Sequence, residues 1–289
     1  NKLNYTSSAS VDTWDLIKNS DVVTNNSSKV LLIYGYNDND ASVENDRTRD
    51  KSLSCHTSPC YGLWNREHVY PKSLASPNLS TNFPSAGTDV HNLRACDYST
   101  NSNRSNKKFD NGSGKSSSNN QGNWYPGDEW RGDVARIIMY MFVRYKNQCE
   151  PGNVGVGTQL YSPNGDMSDI FLEWNEEDPV NFYERNRNDI LEGLQGNRNP
   201  FIDNPYLATQ IWGGPQAPDS WNLLSCPTTT TWNGLSWNNG TPNKTKRATI
   251  NGNFTSTGNL EFCSLEITGT AQVTLQSNHT FTVVRNVNI

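Results

Sequence analysis

The sequence predicts an α+β protein in which a large mixed domain is followed by a small β-rich segment. Between residues 133 and 145, apolar side chains recur at three- and four-residue spacing, which indicates a helix. Residues 30–36 are mostly apolar and β-branched, which predicts a strand. After residue 225, short stretches alternate with period two between Gly and Asn turns, which is typical of a series of short strands.

The remaining elements follow from similar patterns. Spacing near the helical period predicts helices over residues 11–19 and 180–194, and residues 200–212 close the large domain. Residues 111–122, almost wholly small and polar, predict a flexible loop. A Gly- and Pro-rich shift in composition begins at Gly213. We therefore predict a domain over residues 1–213, a linker over 214–224 and a β-rich extension over 225–289.

Composition bounds the class of protein. The 289 residues suffice for one large domain and a small one, and the hydrophobic fraction of 33% with a mean hydropathy of −0.77 indicates a loop-rich globular chain. No stretch approaches the roughly 18 consecutive apolar residues of a membrane helix. The chain begins at Asn1 without an apolar leader. We expect a secreted monomer without a membrane span, in its mature form after removal of a signal peptide.

The six cysteines favour disulfides and an oxidising compartment, because Cys55 and Cys60 lie close together in the sequence. The natural remaining pairs are Cys96 with Cys149 and Cys226 with Cys263. Other pairings stay open, and so do buried free thiols. The spacings provide no Cys-x-x-Cys pair or tetrahedral set, which argues against a zinc site.

The formal net charge of −5 argues against a nucleic-acid partner only if its distribution is ignored. Residues 1–149 carry 17 basic and 15 acidic side chains, and residues 64–115 carry 7 basic and 4 acidic ones. The acidic excess lies in residues 150–224. Because phosphate binding depends on the local field, nucleic acid stays a candidate partner, with modest affinity and a shallow salt dependence.

The motif Asn65-Arg66-Glu67-His68 is the most informative feature of the chain. Hydrolysis of a phosphodiester needs a base near neutral pH, a divalent cation and a cationic side chain for the phosphate. His68 suits the first role, since imidazole titrates nearest to neutral pH. Glu67 and, further on, Asn101 offer hard oxygen ligands for Mg²⁺. The pattern therefore predicts a one-metal nuclease centre.

Basic side chains surround this motif, and several are candidate substrate-binding residues: Arg66, Lys72, Arg94, Lys107 and Lys108. An acidic loop between Asp38 and Asp46 resembles part of a calcium loop but lacks the full EF-hand spacing, so a solvated turn is favoured there over Ca²⁺.

At these residues the chain resembles the endonuclease I family of His-Me finger (ββα-metal) nucleases, which cut DNA, and often RNA, with little sequence preference. The likeness extends from about residue 10 to residue 213 and includes the runs 89–94, 123–136, 172–180 and 195–203. It implies His68 as the general base and one Mg²⁺ on Glu67 and Asn101, with Mn²⁺ or Ca²⁺ as substitutes. Products would carry 5′-phosphate and 3′-hydroxyl ends.

The resemblance leaves the phosphate clamp open. Some members place an arginine between the Glu-His pair and the Asp-x-His run, and this chain has none there, which leaves Lys72, Arg94 or Arg104. Arg104 matches a family arginine and is expected at the catalytic centre, where it either contacts the phosphate or only braces the site. Three further residues are expected to support the centre from behind its ligands: Asp89, His91 and Asn106.

We therefore interpret the chain as a secreted endonuclease that acts on single- and double-stranded DNA and on RNA. The main alternative is a surface- or carbohydrate-binding protein on a degenerate nuclease scaffold, in which the β-rich tail supplies the function. That tail resembles the C-terminal extensions of secreted Bacteroidetes proteins. A sequence-specific restriction or homing enzyme fits less well, because no base-reading module is recognisable.

Overall fold

A long helix, Arg131–Tyr145, runs through the core of the larger, N-terminal part of the chain and confirms the helix predicted over residues 133–145. Val134, Ile138 and Met141 are completely buried on it. A second helix, Asp169–Glu177, packs along its side. Burial of these apolar side chains is the main force that holds the two helices together.

The computed structural model describes residues 3–221 and 226–289, and the chain divides into two units, Asn1–Ser220 and Trp221–Ile289. The boundary falls inside the linker predicted over 214–224, of which residues 222–224 lie outside the described residues. Within the described ranges, no helix has both the length and the apolar character that a membrane crossing requires.

In the described part of the first unit, the helices are α1 (Thr13–Ser20), α2 (Tyr98–Arg104), α3 (Arg131–Tyr145), α4 (Asp169–Glu177), α5 (Phe182–Gln195), α6 (Pro200–Asp203) and α7 (Tyr206–Trp212). The strands are β1 (Val22–Val23), β2 (Asn26–Leu31), β3 (Thr48–Asp50), β4 (Trp64–His68), β5 (Leu93–Asp97), β6 (Ser117–Ser118) and β7 (Trp124–Tyr125). They form the antiparallel sheets β1-β2-β3, β4-β5 and β6-β7.

Side-chain caps explain where two of the predicted helices begin. Asp12 caps α1 in a reciprocal capping box with Asp15, and Asn181 caps α5 in the same way with Glu184. Gly196 ends α5 in the left-handed conformation that favours glycine. Both helices are confirmed within about two residues, as expected where caps set the boundaries.

The strand predicted over residues 30–36 is only partly correct. β2 spans Asn26–Leu31, and the chain then leaves the sheet and turns at Tyr34, whose φ is +72°. Pairing with β3 stops at Leu31. An apolar, β-branched run shows that residues are buried, but it does not show where the partner strand ends.

The ββα element that the resemblance implied is formed by β4, β5 and α2. The two strands are antiparallel with Glu67 opposite Arg94 and His68 opposite Leu93. α2 follows β5 directly, because Asp97 ends the strand and accepts a hydrogen bond from the Thr100 backbone at 2.9 Å as the cap of the helix. This geometry places Asn101 in the helix, beside the strand that carries the Glu-His pair.

Arg94, predicted to bind substrate, is instead part of a buried ion-pair network, and that prediction is wrong. Its guanidinium is 1% exposed and lies 2.9 Å from an Asp133 oxygen and 3.3 Å from Asp21, which also pairs with Arg187 at 2.7 Å. These pairs join β5 to α3 and α5. A guanidinium that is buried and paired with carboxylates inside the protein cannot reach a phosphate in solution.

The cysteines form two of the three predicted disulfides. Cys55 bonds to Cys60, and Cys226 bonds to Cys263. Cys96 and Cys149 are both free and buried, so their predicted pairing is wrong. The Cys96 thiol on β5 is directed to the Ile33 carbonyl oxygen at 3.5 Å, and burial raises the pKa of both thiols.

The second unit is a stack of parallel strands, which gives the tail a solenoid-like form. Its described strands are β8 (Thr228–Trp232), β9 (Lys246–Ile250), β10 (Phe254–Thr255), β11 (Leu260–Phe262), β12 (Ser264–Ile267), β13 (Val273–Thr274), β14 (Phe281–Val283) and β15 (Val287–Asn288). They pair in parallel as β15-β12-β9-β8, β10-β13 and β11-β14. Ala248, Ile250 and Phe262 are fully buried between the faces. The predicted series of short strands is confirmed.

Removing Arg94 should destabilise the first unit strongly. Arg94→Met would leave Asp133 without its nearest cation and weaken the balance at Asp21, so we expect a loss of about 3 to 5 kcal/mol in the free energy of unfolding. Arg47→Met is the matched control, because the Arg47–Glu129 pair is about 40% exposed on both sides and should contribute less than about 1 kcal/mol. Urea denaturation at constant pH measures both, and equal losses would contradict the structural role of Arg94.

Candidate active site

A polar cavity of about 440 Å³ opens between β4 and α2. It brings together the predicted base His68, the predicted ligands Glu67 and Asn101, and the basic residues Arg66 and Lys72. The remaining lining residues are Tyr5, Asn65, Pro71, Ser73, Ser105 and Asn106. The roles assigned from the sequence therefore converge at one place, although the assignments themselves stay proposals.

The imidazole of His68 is held in one tautomer. Its Nε2 lies 2.8 Å from the Gly87 carbonyl oxygen. A carbonyl can only accept, so Nε2 carries the proton and Nδ1 the lone pair. Burial, together with the nearby Lys72 and Arg66 cations, lowers the pKa of His68 to about 3. The ring is therefore neutral at pH 7, as a proton acceptor must be.

Gly87 can present this carbonyl because it has no side chain. A Cβ at this position would lie 2.1 Å from the backbone oxygen of Ser80, which is closer than any real contact. The peptide sits in a short turn, Ala86–Thr88, whose start is capped by Ser85. A larger residue would thus have to move the acceptor of the His68 hydrogen bond.

Glu67 is buried beside His68, and its contacts with Tyr34 and Arg104 fall on the same oxygen. Oε1 accepts a hydrogen bond from the Tyr34 hydroxyl at 3.0 Å and lies 3.3 Å from Arg104. Burial raises the pKa of Glu67 to about 7, although Arg104 and Tyr34 act in the opposite direction. A divalent cation on this carboxylate would favour its ionised form for the same electrostatic reason.

Asn101 is half-buried on α2 and lines the same cavity as Glu67. Its amide nitrogen donates to the Asn65 side-chain oxygen at 2.7 Å, which turns the Asn101 oxygen the other way. A carboxylate and an amide oxygen with space for water fit Mg²⁺, which is often held by few protein groups. Among residues 3–221 and 226–289, no cluster of three or more His, Cys, Asp or Glu could hold a metal, so a dedicated cage of those ligands is not what this site offers.

Arg104, expected at the catalytic centre, does not reach the cavity, which corrects the prediction of a phosphate contact and leaves the bracing role. Its side chain is 0% exposed, and its guanidinium donates to the backbone oxygens of Val69 at 2.8 Å and Ser105 at 3.1 Å. It also pairs with Glu67. Arg104 therefore fixes the end of β4 and partly neutralises Glu67 from inside the protein.

Of the three lysines predicted to bind substrate, one lines the cavity and two lie outside it. Lys72 lines the cavity. The Lys107 ammonium is bonded to Asn103 and Ser118, and the Lys108 ammonium to the Gly152 oxygen at 3.1 Å, on the surface outside the cavity lining. A role for these two in binding a longer strand stays a prediction.

Asp89 and His91 lie behind the site in a buried polar network. Asp89 accepts from the hydroxyls of Tyr140 at 2.8 Å and Tyr145 at 2.6 Å. His91 Nε2 lies 3.0 Å from the Asn197 oxygen. Neither lines the cavity, whereas Asn106, predicted with them, does and donates to Ser73 at 3.2 Å. The pair anchors the segment that follows the Gly87 turn.

Sequence reasoning missed several residues that shape the site: Tyr5, Tyr34, Asn65, Ser73 and Gly87. Asn65 and Gly87 could have been suspected, since Asn65 opens the Glu-His motif and Gly87 lies two residues before the run 89–94. Tyr5 and Tyr34 carry no local signal, because their distance in sequence from Glu67 and His68 hides the contact.

The family model described as Endonuclease I matches residues 1–206 of this chain. The chain belongs to the endonuclease I family. Two relatives are extracellular ribonucleases, from Bacillus subtilis (strain 168) and Bacillus amyloliquefaciens, and each is 37% identical to this chain. The matches extend over 211 and 216 residues, which are 70% and 69% of this chain and 67% and 66% of the relatives.

This endonuclease I chain thus spans about two thirds of the length of those relatives. The match covers the ββα element and the cavity, and it ends before the solenoid-like unit. Endonuclease I proteins are generally metal-dependent nucleases, and the oxygen groups of Glu67 and Asn101 suit that chemistry.

Acid should destabilise the first unit through His91. Burial lowers the pKa of His91 to about 4, against about 6.5 in an unfolded chain, so between these values only the unfolded state gains the proton. Stability is therefore lost as pH falls through this window, by about 2 kcal/mol from pH 7 to pH 5. Among the charged neighbours, Asp89 acts against this shift by raising the pKa of His91, whereas Arg187 and Arg144 act with burial to lower it.

The His91→Gln variant should show about 2 kcal/mol less acid destabilisation than the wild type in urea denaturation at pH 7 and pH 5. The comparison cancels groups that are common to both chains, including His68 and the buried carboxyls. Parallel curves of stability against pH for the two proteins would contradict a neutral, buried His91.

Proposed function

We propose that this chain is a secreted, metal-dependent endonuclease that hydrolyses phosphodiester bonds in single- and double-stranded DNA and in RNA, leaving 5′-phosphate and 3′-hydroxyl ends. The observation that carries the proposal is the His68 imidazole, fixed by the Gly87 carbonyl in the same cavity as Glu67 and Asn101. The family membership gives the reaction class, and the relatives named extracellular ribonucleases support RNA as a substrate and export from the cell.

His68 acts as the general base. Its Nδ1 takes a proton from a water molecule, and the resulting hydroxide attacks phosphorus in line with the departing 3′-oxygen. The low pKa of His68 in the free protein keeps the ring unprotonated before substrate binds. A phosphodiester anion in the cavity would favour the imidazolium form, so the base strengthens when substrate is present.

Glu67 and Asn101 hold one divalent cation, for which Mg²⁺ is the natural candidate. When bound, the cation supplies charge neutralisation at the phosphate and at the leaving oxygen. Tyr34 and Arg104 orient the Glu67 carboxylate from the core, and Asn65 orients the Asn101 amide. Such outer contacts fix ligands in place and affect metal affinity.

Arg66 and Lys72 are the phosphate-binding cations. Both line the cavity next to His68, whereas Arg94 and Arg104 are buried. Contacts of this kind recognise the backbone and carry no base information, which accounts for cleavage with little sequence preference.

His68→Ala should abolish cleavage of plasmid and RNA, because it removes the imidazole that lines the cavity. We expect Mg²⁺-dependent smearing by the wild type, suppression by EDTA, and a rate for the variant at least about a hundredfold lower. His279→Ala, in the second unit, is the matched histidine control and should cleave normally. Persistent activity of His68→Ala rejects the base, and a wild type that cleaves nothing favours the non-catalytic alternative.

Glu67→Gln should weaken metal binding as well as turnover, because an amide lacks the charge that attracts Mg²⁺. Calorimetric titration with Mn²⁺ or Mg²⁺ should show an affinity at least about tenfold below that of the wild type. Glu129→Gln removes a carboxylate from the exposed Arg47 pair and should leave the titration unchanged. If both variants bind metal equally, Glu67 is not a ligand.

A further inference from the structure

The segment from residue 3 to residue 12, here called the N-terminal strap, lies against the active site and is fastened to the first helix. Asn4 and Asp12, near the two ends of the strap, form an isolated parallel β-bridge, and the Thr13 backbone nitrogen donates to the Asn4 backbone oxygen at 3.2 Å. The Thr13 hydroxyl donates to the Tyr5 backbone oxygen at 2.8 Å. Leu3 and Tyr5 also pack against the buried cluster that contains Trp14.

Tyr5 is the residue through which the strap enters the cavity. The carbon at the centre of the Arg66 guanidinium lies 3.4 Å from the centroid of the Tyr5 ring, a cation–π contact. The same ring is stacked beside His68, with centroids 5.6 Å apart and planes 28° apart. Arg66 and His68 are two residues apart on β4 and so share one face of the strand.

The contacts of Arg66 come mainly from the strap and from the start of α1. Trp14 supplies a second aromatic surface at 4.1 Å. Nη1 donates to the Tyr5 backbone oxygen and to the Thr13 hydroxyl at 2.8 Å, and Nη2 donates to the Thr6 hydroxyl at 3.1 Å. In the described part of the chain, Nε has no hydrogen-bond partner, although it is buried. The guanidinium is thus fixed in one orientation with donor capacity left.

We propose that Tyr5 is a positioning residue that holds Arg66 in the orientation that binds the substrate phosphate, so that the N-terminal strap completes the active site. The inference rests on the proposed function, which makes Arg66 a phosphate-binding cation. An arginine side chain that moves freely loses rotamer freedom when it binds a ligand. Because Tyr5 already restricts the Arg66 side chain in the free protein, less rotamer freedom is lost when substrate binds. Its effect therefore falls on substrate affinity more than on the chemical step.

The aromatic ring, rather than the fold of the strap, carries this effect. Tyr5→Phe keeps the surface under the guanidinium, whereas Tyr5→Ala removes it and leaves the backbone contacts to Arg66 and Thr13 possible. We expect Tyr5→Ala to raise KM for a single-stranded oligonucleotide about tenfold with little change in kcat, and Tyr5→Phe to stay within about twofold of the wild type. Tyr61→Ala is the control, since Tyr61 is 70% exposed and does not line the cavity.

A double-mutant cycle separates positioning from general loosening. If Tyr5 acts through Arg66, then the Tyr5→Ala/Arg66→Ala protein has the KM of Arg66→Ala alone, because nothing is left to position. The Tyr5→Ala/Lys72→Ala protein should show the product of the two single effects. The same cycle is measured as Kd by fluorescence anisotropy with a labelled oligonucleotide in EDTA, where no hydrolysis is needed.

Each outcome decides the proposal. The proposal is overturned if Tyr5→Ala has the KM and Kd of the wild type. It is also overturned if the effects of Tyr5→Ala and Arg66→Ala multiply in the double variant. A tenfold effect that Tyr5→Phe shares would assign the loss to the hydroxyl and would likewise overturn it. A wild type that binds in EDTA but does not cleave with Mg²⁺ overturns the proposed function alone, and the cycle on Kd still tests Tyr5. A wild type that neither binds nor cleaves overturns both.

Discussion

The hydrogen bond between His68 Nε2 and the Gly87 carbonyl is the constraint on which the rest of the active site depends. It determines which ring nitrogen holds the lone pair and in which direction that lone pair points. The acceptor belongs to a turn between β4 and β5, so its position depends on where those strands begin and end. Ser85 and Asp89 each cap part of that connection by accepting hydrogen bonds from backbone N–H groups. A chemical property of one imidazole is thus set by the backbone path of some thirty residues around it.

Burial of Glu67 has a cost that the surrounding residues offset. A carboxylate that leaves water is destabilised in its charged form, and the raised pKa of Glu67 expresses that cost. Arg104 lies on the core side and the cavity on the other, so the carboxylate is held between a fixed cation and a space that suits a second one. Partial neutralisation by Arg104 offsets some of that cost, because its charge favours the ionised carboxylate. Because it is partial, it also leaves the carboxylate attractive to a divalent ion.

The sequence predicted well those features that are local, and poorly those that join distant segments. The Glu-His pair, the following strand and the helix with Asn101 lie within forty residues, and their chemistry is legible from residue type and order. The helices over 133–145 and 180–194 were equally legible from periodicity. Arg94 looked like a substrate residue because only three-dimensional contact shows that Asp21 and Asp133 neutralise it. The positions of Cys96 and Cys149 in the sequence allowed a predicted disulfide, but they do not show that the Cys96 thiol is directed to the Ile33 oxygen.

Three arginines near the same motif show how context, and not residue type, assigns a role. Arg94 forms ion pairs with two carboxylates, so its charge is neutralised within the core. Arg104 is bonded to backbone oxygens and to Glu67, so it shapes the site without facing it. Arg66 is held by aromatic faces and neutral oxygens and forms no ion pair among the described residues, although the Asp12 carboxylate is near enough to act on its charge. A cation that is oriented but not neutralised keeps its attraction for an anion, and of these three arginines only Arg66 combines that state with a place in the cavity. Positive charge that is fixed by stacking rather than by ion pairs is therefore the physical basis on which this site can recognise a phosphate backbone.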